Sequence, residues 1–116
     1  MKEFVILFRQ PTGSYQKPLP EAMEALEKKW ADWTGGIAAQ GKLASQGIRL
    51  AYDGRVLKSS GVVTDGPFAE LREILGGFMV VRAADYDEAV TLAHGCPVLE
   101  TGGSVEIRPI YQESPA

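Results

Sequence analysis

Apolar positions fall into two kinds of pattern along this chain. Phe4-Val5-Ile6-Leu7-Phe8 and Phe78-Met79-Val80-Val81 are uninterrupted runs. Short runs of this kind, rich in β-branched and aromatic residues, predict strands buried on both faces. Between them the spacing changes. Met23, Leu26, Trp30, Trp33 and Ile37 recur at steps of 3, 4, 3 and 4, which places them on one side of a helix. Glu24, Glu27, Lys28 and Asp32 mostly take the other sides. Pro20 suits the first turn of that helix, where its missing N–H costs nothing. Gly35-Gly36 is a point where the helix bends or ends, and Gly41 is the natural stop if it continues.

The remaining segments are shorter and more heavily punctuated. Pro11-Thr12-Gly13-Ser14 and Pro18 separate the first strand from the helix. Leu43 to Leu50 predicts a strand interrupted at Gly47. Asp53-Gly54 predicts a hairpin with Arg55 to Lys58 returning, because both turn residues tolerate positive φ. Val62-Val63-Thr64 is a further extended piece. Asp65-Gly66-Pro67 predicts a turn held by the Asp65 carboxylate on its own backbone. Glu70 to Leu75 then predicts one or two helical turns, closed by Gly76-Gly77. Asp85 reads as a helix N-cap with Glu88 three residues on. Tyr86, Ala89, Val90, Leu92 and Ala93 give that helix an apolar side, and Gly95 and Pro97 end it. Val105 and Ile107 alternate with Glu106 and Arg108, the pattern of an edge or half-buried strand.

In sum, residues 1–111 predict one α+β domain of ferredoxin-like βαββαβ order with extra turns in the middle, followed by a frayed tail at 112–116. In that topology both helices cover one face of the sheet. The two uninterrupted strands would leave an apolar second face, and a homodimer through that face is the economical cover.

Charge narrows the partners. The chain of 116 residues has 12 Lys plus Arg against 15 Asp plus Glu, a net charge of −3. No basic block is present to grip phosphates, so no direct nucleic-acid contact is expected. Lys28 and Lys29 sit beside Glu24 and Glu27, as on a solvated helix face. The first apolar run is too short to span a membrane. Cys96 is the single cysteine, which forbids an internal disulfide and suits a reducing cytoplasm, the expected location. The glycine pairs match neither a dinucleotide fingerprint nor a phosphate-binding loop, and no cofactor is expected.

Few side chains offer chemistry. His94 is the only histidine and the natural general-base candidate. Its position in the last turn of a helix gives it a structural reading, through the helix dipole. With Cys96 it supplies at most two metal ligands, so no metal site is expected. Cys96 reads as a small buried apolar residue. Glu70 and Glu73, three apart, read as a solvated pair near Arg72. Trp30 and Trp33 could line a pocket, although an aromatic stripe at helical spacing is usually core.

Three blocks carry a family resemblance. They are Val63-Thr64-Asp65-Gly66-Pro67-Phe68-Ala69-Glu70, Ile74-Leu75-Gly76-Gly77-Phe78, and Gly95-Cys96-Pro97 followed by Gly102 to Ile110. In this order and spacing the chain resembles the YCII-related domain, in its DGPF branch. The resemblance implies a ferredoxin-like domain that pairs into a dimeric α+β barrel. It implies two functional classes. Plain YCII-related proteins resemble muconolactone isomerase, with a His–Asp pair for proton transfer on a small cyclic or aromatic substrate. DGPF members carry a transcription-related label. Anchored on Gly41-Lys42-Leu43, the family histidine falls on Trp30, and an indole cannot act as a base. The expected function is therefore a small-molecule-binding or regulatory module without the dyad, the alternative being a proton-transfer enzyme. No catalytic residue is assigned. Trp30, Asp65, Phe68, Glu70 and His94 are the candidates for a cleft or ligand site.

Overall fold

A computed structural model describes residues 1–11, 19–51, 53–66 and 73–111. The first apolar run lies in strand β1 (Lys2–Pro11) and is followed by helix α1 (Pro20–Ala39). Then come strands β2 (Leu43–Arg49), β3 (Gly54–Leu57), β4 (Val63–Gly66) and β5 (Glu73–Ala83). Helix α2 (Tyr86–Ala93), a 3-10 turn (Pro97–Thr101) and strand β6 (Ser104–Pro109) follow. The main sheet has the order β2-β5-β1-β6, with every neighbouring pair antiparallel. That order fits a ferredoxin-like α+β fold, with the two uninterrupted apolar strands at the centre.

Local chemistry explains both helices. α1 runs straight through Gly35-Gly36 and stops where Gly41 turns left-handed at φ 72°. The N–H of Gly41 bonds the Ala38 carbonyl and that of Lys42 bonds the Ile37 carbonyl, a Schellman cap. α2 begins as its sequence predicts. The Asp85 carboxylate accepts the Glu88 N–H at 2.9 Å, while the Glu88 carboxylate accepts the Ala84 N–H at 3.2 Å. Lys42, just beyond α1, pairs with the same Glu88 at 3.4 Å.

The sheet has two unlike faces. Phe4, Ile6 and Phe8 from β1 and Met79, Val81 and Ala83 from β5 are buried under the helices with Ile37, Ala89 and Leu92. The strand register puts Val5 opposite Val80, and Leu7 opposite Phe78, on the other face. These residues are only half-buried in one chain, and Ile48 beside them is 56% exposed. Charged pairs border this apolar strip. Arg82 meets Glu3 near one end, and Arg9 and Arg108 both approach Glu106 on the β6 side.

Three local expectations are corrected. Asp53-Gly54 does not join β2 to β3, because β5 takes the hydrogen bonds of β2. β3 instead pairs with β4, and the reversal lies between Lys58 and Val62, whose backbones bond at 2.9 Å. Asp65 and Gly66 continue strand β4 rather than turning. The Asp65 side chain meets Arg55 across the ribbon at 3.3 Å, and Pro67 lies outside the described residues. Glu73 to Leu75 are not helical. They pair with Pro11, Gln10 and Arg9, and Gly76-Gly77 sits within β5, where the pairing shifts register between Phe8 and Arg9. The rest of that expected helix, residues 70–72, lies outside the described residues, as does the 112–116 tail.

Candidate functional site

A cleft of about 360 Å³ opens between α1 and the sheet. Trp30 forms one wall, continued along the helix by the small residues Ala31, Thr34, Gly35 and Ala38. These positions lie one turn apart or adjacent, and their short side chains leave space that larger residues would fill. Phe8 and the segment Phe78-Met79 form the floor, and Gln46 and Arg49 of β2 close the opposite side.

The two tryptophans of the α1 stripe have different roles. Trp33 is tied into the core. Its indole N–H donates to the Leu92 carbonyl at 2.9 Å, and a side chain at Gly95 would run into its ring. Trp30 packs edge-on against Phe8, with ring centroids 4.9 Å apart, and edge-on against Trp33. Its other side faces the cleft, and Arg49 lies over its ring with the guanidinium carbon 4.4 Å from the centroid. Contacts of this type contribute about 0.5–1 kcal/mol when exposed.

A distortion in β2 places Arg49 there. Leu43 is opposite Val81, Ser45 opposite Val80, Ile48 opposite Phe78 and Arg49 opposite Gly77, so two extra residues enter β2 along this stretch. The second irregularity lies between Ser45 and Ile48 and includes Gly47, at φ 65°. In a regular strand Gln46 and Arg49, three apart, would point to opposite faces. The extra residue lets both line the cleft. Gly47 is required for this, because a Cβ there would strike the Phe78 carbonyl.

The expected site residues are dispersed. Trp30 is at the cleft. Asp65 is on the β3-β4 ribbon, its side chain 91% exposed, and it does not line the cleft. Phe68 and Glu70 lie outside the described residues. His94 caps the C-terminus of α2 and is exposed. Among the described residues no carboxylate lies within ion-pair distance of His94. Cys96 is 1% exposed, and burial pushes its thiol up to about 11, against a bond from the Val98 backbone and the charge of Arg49. Among the described residues no cluster of His, Cys, Asp or Glu is placed to hold a metal ion, and no helix is long and apolar enough to cross a membrane. The sequence reading missed Arg49, Gln46, Thr34 and Phe8 as cleft residues. The signal available for Arg49 was a glycine interrupting its strand two positions earlier.

The family model of the YCII-related domain matches residues 3–114. An uncharacterized protein of Rhizobium meliloti (strain 1021) is 40% identical over 55 residues. That match takes in 47% of this chain and 44% of the relative, so the chain spans less than half the length of the curated protein it matches.

Proposed function

The chain belongs to the YCII-related domain family, and we propose that within it this protein is a small-molecule-binding homodimer that works without a His–Asp dyad. One observation carries the reading. Of the described residues that line the cleft, none bears a side chain that exchanges protons near neutral pH. Trp30 stands where the resemblance puts the family base. The cleft still has the size and the mostly apolar lining of a ligand site, with few polar groups. The tetrapeptide Asp65-Gly66-Pro67-Phe68 supports the DGPF branch of the family.

Pairing follows from the second sheet face. Val5, Leu7, Phe78, Val80 and Ile48 form an apolar strip bordered by ion pairs, the apolar centre and polar rim of a protein interface. A second copy joined by a two-fold axis would cover the strip with its own equivalent. Light scattering at micromolar concentration tests this. A dimer mass is expected for the wild type and a monomer mass for Val80→Asp, whereas a monomeric wild type rejects the homodimer. For the cleft, soaking a neutral aromatic amide and following the Trp30 indole signal by NMR tests occupancy. No shift at millimolar concentration with this probe and with an acidic aromatic counterpart rejects ligand binding there.

A further inference from the structure

We infer that the cleft takes a small planar aromatic carboxylate, held at its acid group by Arg49. The inference rests on the ligand-binding reading above and names the class of ligand.

The argument begins with the state of the arginines. Arg9 and Arg108 both meet Glu106, Arg55 meets Asp65 and Arg82 meets Glu3. Arg49 is the one described arginine with no carboxylate partner. The chain carries a net charge of −3, yet among the described residues no carboxylate is set against this guanidinium. What holds Arg49 is the face of Trp30. A guanidinium lying over a ring makes contact through its flat side and keeps the N–H donors along its edge. Those donors match the two oxygens of a carboxylate in a paired geometry.

The rest of the cleft specifies what is attached to that acid group. Trp30 and Phe8 offer aromatic walls, against which a flat ring packs by edge or offset contacts. The small helix residues Ala31 and Gly35 leave room alongside, and Thr34 and Gln46 are the polar side chains besides Arg49. The volume of about 360 Å³ suits one or two fused rings rather than an extended chain or a nucleotide. Gly47 permits the strand distortion that brings Arg49 to this face, since no side chain fits at that position. A ligand anchor explains why β2 would keep a residue position that tolerates no side chain.

A matched pair of probes tests the inference on the full chain. The probes are 2-naphthoate and its uncharged relative 2-naphthamide, titrated by tryptophan fluorescence and by NMR of the indole N–H signals. The expected result is that the wild type binds 2-naphthoate about tenfold or more tightly than the amide, and that Arg49→Gln binds the two probes with similar affinity. Arg49→Lys should keep part of the preference, through charge without the paired geometry. Circular dichroism of Arg49→Gln should match the wild type, since the side chain is exposed. Equal binding of both probes, unchanged in Arg49→Gln, would overturn the carboxylate assignment while the cleft remained a binding site. Failure of both probes to bind at millimolar concentration would overturn the assignment together with the ligand-binding reading.

Discussion

The indole N–H of Trp33 reaches the carbonyl oxygen of Leu92, 2.9 Å away, and so ties the middle of α1 to the last turn of α2. Trp30, one turn earlier on the same stripe, makes no hydrogen bond to the described residues and stands at the cleft. Phenylalanine at each position separates these roles. Trp33→Phe loses the bond and part of its packing, at a cost of about 2 kcal/mol. Trp30→Phe should cost less than about 1 kcal/mol, because the ring contact with Phe8 is largely kept. Urea unfolding of the two variants gives the comparison, and equal losses would contradict the assignment.

Glycine at position 47 is under a stronger constraint than glycine at position 41, although both have positive φ. A Cβ at Gly41 meets nothing within 4 Å, while one at Gly47 strikes the Phe78 backbone. Gly41→Ala should therefore cost only the left-handed penalty, about 1–2 kcal/mol. Gly47→Ala adds a clash with a central strand and should cost at least about 3 kcal/mol. Thermal melting of both variants checks the order. A smaller loss for Gly47→Ala would mean that the strand pairing relaxes without effort.

Asp65 is expected to matter little for stability, contrary to what its turn-like sequence suggests. Its carboxylate is almost fully exposed and its ion pair with Arg55 joins two solvated side chains. Such pairs contribute about 0–1 kcal/mol. Asp65→Ala should therefore lower the melting temperature by no more than about 5 °C. A larger drop would show that the carboxylate holds the chain beyond the strand.

Cys96 gives a pH dependence at the alkaline end. Its thiol titrates near 9.0 when unperturbed and at about 11 in the folded chain, chiefly because burial disfavours the thiolate. The folded pKa is raised, so the stabilising contribution is fully present below pH 9. It is lost as pH rises through about 11, because the unfolded chain ionises first. The loss amounts to about 2–3 kcal/mol at most. Lysines and tyrosines also titrate in this range, so the measurement is the difference between wild type and Cys96→Ala in urea at pH 8 and pH 11. The wild type should lose stability relative to the variant. A constant difference would show that the thiol is not shielded.

The sequence by itself determined what depends on neighbours a few residues apart. The stripe from Met23 to Ile37 specified α1, and Asp85 with Glu88 the start of α2, because helix formation and capping are completed within one or two turns, while the end of α1 stayed open between Gly35-Gly36 and Gly41. The runs at Phe4 and Phe78 specified two strands rich in apolar residues, and the structure makes them the central pair, with one face buried under the helices and the other half-buried. The blocks at residues 63–70, 74–78, and 95–97 with 102–110 carried the family. Only the tertiary structure decided which segments pair. Asp53-Gly54 has the residues of a tight turn, but a turn forms a hairpin only if the strands beside it bond each other, and β2 is bonded to β5. Gly76-Gly77 resembles a helix end, yet the long antiparallel partner offered by β1 draws residues 73–77 into the sheet. The site was hidden for the same reason. Trp30 and Trp33 are indistinguishable on a helical wheel until Leu92 and Gly95 arrive from the other helix. Arg49 reaches the cleft only because Gly47 meets the backbone of Phe78, a contact between residues far apart along the chain that no local pattern encodes.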